Sequence, residues 1–292
     1  WFGASGSRTF SANASTTEFK VESGTVDVSS RIISISDNFS NAGTFTTDST
    51  SRLLFTGTSK TISGDITGTS ALGSVEFLNS GSWSFSSNAS TTDMVIRSGT
   101  ITAPSLLSIA GHYQNSGTLT PGTGSVLFTG SAKTISGTLT GASGAFNYVW
   151  LGSSGAWTFS ANASTTELKI ESGSVDASSR TLSVAGDFSN AGTFTSNSST
   201  NLLFTGTSKT ISGTLSNTSA LGNVWFGSSG SWTFGAAARG HSSAQHKTVE
   251  TAVVGSLLGK KGIAIQLGTD GMYEGTLMSS EEGPISIDSG GN

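Results

Sequence analysis

Leu168-Lys169-Ile170-Glu171-Ser172-Gly173-Ser174-Val175 is followed by Leu182-Ser183-Val184, then by Leu202-Leu203-Phe204 and Val224-Trp225-Phe226. These are four short strands of alternating inward and outward residues, a period of two with β-branched enrichment and no helical period. Their starts lie about 14, 20 and 22 residues apart, and about 19 more reach the next copy. Gly, Ser and Asn clusters separate them, as in Ser189-Asn190-Ala191-Gly192 and Thr205-Gly206-Thr207-Ser208. After most clusters a second short strand follows, such as Thr193-Phe194-Thr195 or Thr210-Ile211-Ser212. A unit of about 19 residues with two or three short strands and turns is the size of one β-solenoid coil.

Outward from this stretch, the same text recurs as a block of about 75 residues, seen three times. Each copy ends on one phrase: Ser80-Gly81-Ser82-Trp83-Ser84-Phe85, Ser154-Gly155-Ala156-Trp157-Thr158-Phe159 and Ser229-Gly230-Ser231-Trp232-Thr233-Phe234, with Ser5-Gly6-Ser7-Arg8-Thr9-Phe10 at the start. The expectation is an all-β solenoid with four coils per block. A string of small β-sandwiches is the alternative, but such a domain is near 100 residues and shows no sub-repeat. A dozen coils at 4.8 Å would make a rod of roughly 60 Å. The middle block is one residue shorter around Ala103-Pro104-Ser105, which fits a turn outside the core.

Residues 1–235 form the repeat region. Residues 236–278 depart from it and read as an insertion or cap: Val249, Val253, Val254, Leu257 and Leu258 have an approximate helical spacing. Ile263, Ile265 and Leu267 alternate as a strand, and Thr269-Asp270-Gly271 suits a hairpin-type turn. Residues 279–292 read as the start of a further repeat, since Ile285-Ser286-Ile287-Asp288-Ser289-Gly290 repeats the opening of the quoted stretch.

Composition narrows the function classes. Of 292 residues only 11% are charged, with net charge -4, so there is no basic face for nucleic acid. Cysteine is absent, which removes disulfides and thiolate metal sites. No apolar run reaches the roughly 20 residues of a membrane helix. The chain opens on Trp1 inside a repeat, which suggests a fragment or processed product.

The phrases quoted above, with Val184-Ala185-Gly186-Asp187-Phe188-Ser189-Asn190-Ala191-Gly192 and Leu203-Phe204-Thr205-Gly206-Thr207-Ser208-Lys209-Thr210-Ile211-Ser212-Gly213, resemble repeats of large bacterial surface and secreted proteins, the autotransporter-type and adhesin-type β-helix passenger regions. The likeness covers residues 1–235 and the last dozen. It implies a right-handed parallel β-helix, export to the cell surface or medium, and a role as adhesin or stalk.

Catalysis on such a rod needs several carboxylates converging on one face. Asp27 and Asp176 match, but the middle block has Thr102. Asp37 and Asp187 read as a pair with His112 between, and Glu22 and Glu171 face Arg97. Carboxylates dropped in one copy read as solvated turn residues, so no enzyme, cofactor or metal is expected. Glu18, Asp93 and Glu167 persist near the repeated Asn-Ala-Ser-Thr-Thr of Asn13, Asn88 and Asn162, read as a hydrogen-bonded turn before calcium. His241 and His246 have no partnering ligand pattern. Lys60, Lys133 and Lys209 would form a line along the rod. An ice-binding face would need a regular Thr array, and the Thr positions differ between coils. Trp83, Trp157 and Trp232 share parity with inward Phe. Trp1, Trp150 and Trp225 should point outward, forming an aromatic row that could stack on glycans or pack against another chain; Glu76 replaces them in one block. The leading expectation is a non-catalytic structural or adhesive stalk. A carbohydrate-binding or carbohydrate-cleaving β-helix is the alternative. Partners would be glycans, a host or neighbouring-cell surface, or further copies of the chain.

Overall fold

The structure is a computed structural model. It describes residues 1–227 and 231–235 in full, and four further strands by their backbone pairing, Leu257–Gly259, Ile263–Leu267, Met278–Ser280 and Ile285–Ser289. Short strands alternate as the sequence demands. In Phe19–Val21 the Phe and Val are buried and Lys20 faces out. In Ile32–Ile35 the buried positions are Ile33 and Ile35. Turns rich in Gly, Ser and Asn bend the chain after each three to five residues, so no strand can fold back antiparallel on its neighbour. Each strand pairs in parallel with its counterpart one coil away, giving a β-solenoid of about 11 turns.

The coil has three faces. Face 2 is an unbroken sheet of ten strands, from Ala14–Thr16 through Ile32–Ile35, Arg52–Phe55, Ser74–Phe77 and onward to Thr193–Thr195. Face 3 runs from Phe19–Val21 through Lys60–Gly64 to Thr118–Thr120, and resumes at Ala163, Thr181–Val184, Asn201–Phe204 and Asn223–Phe226. Face 1 starts with Ser7–Thr9, Thr25–Asp27 and Thr44–Thr46. It continues from Ala89–Thr91 to Phe146–Leu151, the second half of Ala163–Ile170, Phe188–Asn190, Lys209–Gly213 and Trp232–Phe234. The long strand Ala163–Ile170 turns the corner between faces 3 and 1, so both belong to one sheet there.

The coil count per block corrects the sequence reading. From Ala14 to Phe85 the chain visits eleven face positions, starting at residues 14, 19, 25, 32, 39, 44, 52, 60, 66, 74 and 82. Eleven is not a multiple of three. A block is therefore three and two-thirds coils rather than four, and each copy starts one face earlier than the last. Ala14 lies on face 2, Ala89 on face 1 and Ala163 on face 3. The 3-10 turns confirm the shift, since Gly68–Ser70, Gly141–Ser143 and Asn217–Ser219 interrupt faces 1, 3 and 2 in turn. Within residues 1–235 coil length also varies, from 18 residues between Trp157 and Val175 to 24 between Ile135 and Phe159.

A single column of apolar side chains fills the interior, with Phe39, Phe55, Phe77, Phe128, Phe188 and Phe204 among the fully buried. Neighbouring coils stack rings, as in Phe55 on Phe77 with centroids 5.1 Å apart and Phe19 on Phe39 at 5.5 Å. Each fully buried large side chain contributes about 1.5–3 kcal/mol. Three of the buried polar side chains close a corner. Asn41, Asn115 and Asn190 are buried. Their side chains donate to the carbonyls of Asp65, Thr138 and Thr214 in the next coil and accept from the amides of Gly43, Gly117 and Gly192. The strand above must come close there, and it does so on Gly64, Gly137 and Gly213 at φ 94°, 92° and 96°. A Cβ at these glycines would lie 1.9–2.0 Å from the Asn carbonyl oxygen, so no other residue fits.

The parallel stack continues past Phe226. Leu257–Gly259 pairs with Val224–Phe226, Met278–Ser280 pairs with Leu257–Gly259, and Ile263–Leu267 pairs with Ile285–Ser289. The strand read at Ile263, Ile265 and Leu267 is present, and Leu257 and Leu258 are strand. Val249, Val253, Val254 and the turn at Thr269-Asp270-Gly271 lie outside the described residues.

Candidate functional site

Trp1, Trp150 and Trp225 point outward as their parity requires. Trp1 is 75% exposed and Trp225 42% exposed, while Trp150 is half-buried. They do not form a row. Trp1 precedes Phe2, which bridges to Val21 on face 3; Trp150 is on face 1; Trp225 is back on face 3, eleven coils from Trp1. The one-face shift per block scatters any side chain that recurs once per block. Lys60, Lys133 and Lys209 are separated in the same way, onto faces 3, 2 and 1, so the expected charged line does not exist.

Two of the tryptophans sit in the same local cluster. Trp1 neighbours Lys20 on the next coil, whose Nζ lies 4.6 Å from the ring centroid and 2.9 Å from Glu22 Oε1. Trp150 pairs with Lys169, whose Nζ lies 5.3 Å from the ring centroid and 2.6 Å from Glu171 Oε1. Lys20 and the Trp1 indole hold the Glu22 carboxyl below the usual range, and Glu22 in turn raises the Lys20 ammonium. Gly3 and Gly152 follow the tryptophans by two residues. A Cβ at either would press on the carboxylate, at 3.2 Å from Glu22 Oε2 and 3.4 Å from Glu171 Oε2.

Where the first block passes into the middle one, the same surface is built with opposite chemistry. Glu76 stands in the Trp position, is 5% exposed, and is gripped by Arg52 from the coil before and Arg97 from the coil after. Arg97 occupies the place of Glu22 and Glu171, Val95 that of the lysines, and Leu78 that of the glycines. Four positions change together, because moving the carboxylate one coil back to the Trp position removes the need for the lysine and demands a cation where the old carboxylate stood.

The remaining candidates resolve into turn chemistry. The true counterparts of Asp187 and His112 are not Asp37 but Asn38, since Asn38, His112 and Asp187 each immediately precede an inward aromatic: Phe39, Tyr113 and Phe188. All three accept a backbone N–H one coil on: Thr61 to Asn38 Oδ1 at 2.9 Å, Thr134 to His112 Nδ1 at 3.2 Å and Thr210 to Asp187 Oδ1 at 2.8 Å. The position requires an acceptor, not a carboxylate, and it sets Nδ1 of His112 as the unprotonated nitrogen. Asn13, Asn88 and Asn162 accept from the amides of Ile32, Leu106 and Thr181 at 2.9–3.0 Å, a cross-coil version of the expected turn. Asp93 caps His112 N and takes a bond from Ser74, while burial raises the Glu167 carboxyl, with Asp187 adding to the effect. Glu18, Asp93 and Glu167 fall at faces 3, 2 and 1 and cannot share an ion. Asp27 and Asp48 do meet at one corner. The Ser29 hydroxyl and amide hold Asp27 low, and Ser30, Ser51 and Thr50 hold Asp48 lower still. Among the described residues no group of three His, Asp or Glu is placed to hold a metal. His241 and His246 lie outside the described residues. Among the described residues no helix is long and apolar enough to cross a membrane.

Sequence reasoning missed the buried Asn41, Asn115 and Asn190 and the link between Trp, Lys and Glu. The signal for both was present as co-recurrence: each Ile-Ser-Gly follows an Asn-Ala-Gly or Asn-Ser-Gly by one coil, and Lys-x-Glu appears only after Trp-x-Gly. Compared with protein-family models, curated proteins and solved structures, the chain finds no match in any of the three.

Proposed function

We propose that this chain is the stalk of an exported bacterial protein, a non-catalytic structural or adhesive rod at the cell surface or in the medium. The observation that carries the reading is the rotation of the block. A groove enzyme gathers unlike residues on one face, whereas this molecule distributes its repeated residues evenly over three. What is conserved between copies is what holds one coil to the next: the corner Asn–Gly pairs, the acceptor at Asn38, His112 and Asp187, and the aromatic ladder. Parallel coils that share hydrogen bonds along the axis add stability unit by unit, so length sets reach. The resemblance to adhesin-type passenger repeats agrees with export.

Antibody labelling of intact cells that make the protein tests the location, and labelling of cytosol alone would overturn it. A reducing-end assay on plant and bacterial polysaccharides tests the absence of catalysis. Release of reducing ends above the background of a Glu22→Gln/Glu171→Gln variant would replace the stalk by a carbohydrate-cleaving reading.

A further inference from the structure

We propose that the outward strips beginning at Trp1 and Trp150 are two copies of a binding site for a neutral pyranose oligosaccharide, a function beyond the stalk itself. In the first strip the register runs Trp1, Lys20, Ser40, Ser63, flanked by Glu22 and Ala42. In the third block it runs Trp150, Lys169, Ser189, Ser212, flanked by Glu171 and Ala191. All six residue types are the same. Three coil steps give each strip a length of about 14 Å. On the coils after Trp1 the surface is concave, an open groove of about 450 Å³ lined by Lys20, Glu22, Ser40, Ala42 and Ser63 among others, with Trp1 outside its wall. That volume lies in the range that holds small ligands.

The middle block shows that this surface is not simply what the fold requires. There the strip reads Glu76, Val95, Gln114, Ser136, flanked by Arg97 and Ser116, and five of the six residues differ. The ion-pair exchange around Glu76 accounts for Val95 and Arg97. It does not account for Gln114 or Ser116, which sit one coil further out and are not bonded to Glu76. A residue set kept together in two blocks and lost together in the third is the pattern of a site.

The chemistry specifies the ligand class. The outward indole, exposed at Trp1 and half-buried at Trp150, offers the ring surface not covered by the neighbouring lysine to the C–H face of a sugar ring. Glu22 and the Ser40 and Ser63 hydroxyls offer acceptors and donors to ring hydroxyls. Lys20 and Glu22 neutralise each other within the strip, leaving no net positive charge for a uronate or sulfated chain.

Calorimetric titration of the intact chain with cellohexaose, xylohexaose, mannohexaose and hexagalacturonate tests this. The expected result is binding of at least one neutral hexamer at two sites per chain, with no binding of hexagalacturonate. Trp1→Ala and Trp150→Ala should each remove one site, and the double variant should weaken binding by more than about tenfold. Ser40→Arg and Ser189→Arg, which fill the strips without touching the core, should do the same with the fold intact by circular dichroism. Rebuilding the middle strip (Glu76→Trp, Leu78→Gly, Val95→Lys, Arg97→Glu, Gln114→Ser, Ser116→Ala) should add a third site. Absence of binding by every neutral hexamer would overturn the proposal, as would unchanged binding in the double variant or preferential binding of hexagalacturonate. None of these outcomes bears on surface location, so the stalk reading stands or falls separately.

Discussion

The outer blocks and the middle block fold alike but are held differently across their coils. At one equivalent spot the outer blocks place an exposed Trp over a Lys–Glu pair, with side chains roughly 40% exposed. The middle block places a nearly buried Glu76 between two arginines. The fold tolerates both because the constraint on a solenoid residue comes from the coils directly above and below. Leu54, Leu127 and Leu203, themselves outward-facing, sit one coil before Glu76, Trp150 and Trp225 alike, so the preceding coil is unchanged while the next position on the same face is rewritten.

The contrast is sharpest at the ion pairs. Glu76→Gln should destabilise the chain by about 1–2 kcal/mol, because it weakens two charge-assisted bonds at a buried carboxylate whose arginines are half in water. Glu171→Gln, at an exposed pair, should stay within about 0.5 kcal/mol. Urea unfolding of the two variants measures the difference, and equal effects would mean that burial of Glu76 has no energetic consequence.

A smaller effect is expected two coils on. Tyr113 stands where the outer blocks have Phe39 and Phe188, and its hydroxyl is buried without a partner. Burial pushes that phenol far above its usual range. Tyr113→Phe should therefore stabilise the middle block by about 1 kcal/mol, since it deletes an unsatisfied group and keeps the ring. A lower midpoint of thermal unfolding would show that the hydroxyl has a partner in solution.

The least effect is a dependence on acid. Asp48 accepts from the amides of Ser30, Thr50 and Ser51, and from their hydroxyls, at 2.7–3.0 Å. Asn197 fills the same corner in the third block, accepting from Ser179 and Ser199 at 3.0 Å. The depressed Asp48 carboxyl contributes its stability in full above the ordinary carboxylate pKa. That contribution is lost as pH falls from there toward the folded value. Asp48→Asn should flatten stability below about pH 4 and lower it modestly at pH 7, with parent and variant converging in acid. A variant as acid-sensitive as the parent would place the acid response elsewhere.

The solenoid itself was legible because apolar residues at every second position, interrupted by Gly and Asn, leave few other ways to bury Phe and Leu. The coil count was not. Strands such as Thr25-Val26-Asp27 and Thr100-Ile101-Thr102 carry one inward residue each, so they look like turns beside Leu202-Leu203-Phe204, yet they build whole faces. Outward orientation of the Trp residues could be read from parity, but their azimuth could not, because it depends on that count. The Asp37–Asp187 match failed for a related reason. Ser36-Asp37-Asn38 and Ala185-Gly186-Asp187 align by hydrogen-bond role, and a carboxylate is only one of several acceptors that serve.

The one-third-turn offset of the block also governs how such a chain can change length. Three similar copies invite unequal recombination, and losing or gaining one copy would keep the parallel pairing of equivalent strands. It would nevertheless turn everything beyond the junction by a third of a revolution about the axis. Only a change of three copies, eleven coils or about 53 Å, preserves the phase between the two ends. Length and orientation are thus inherited together, and relatives that differ by one or two copies would point their distal surfaces in different directions.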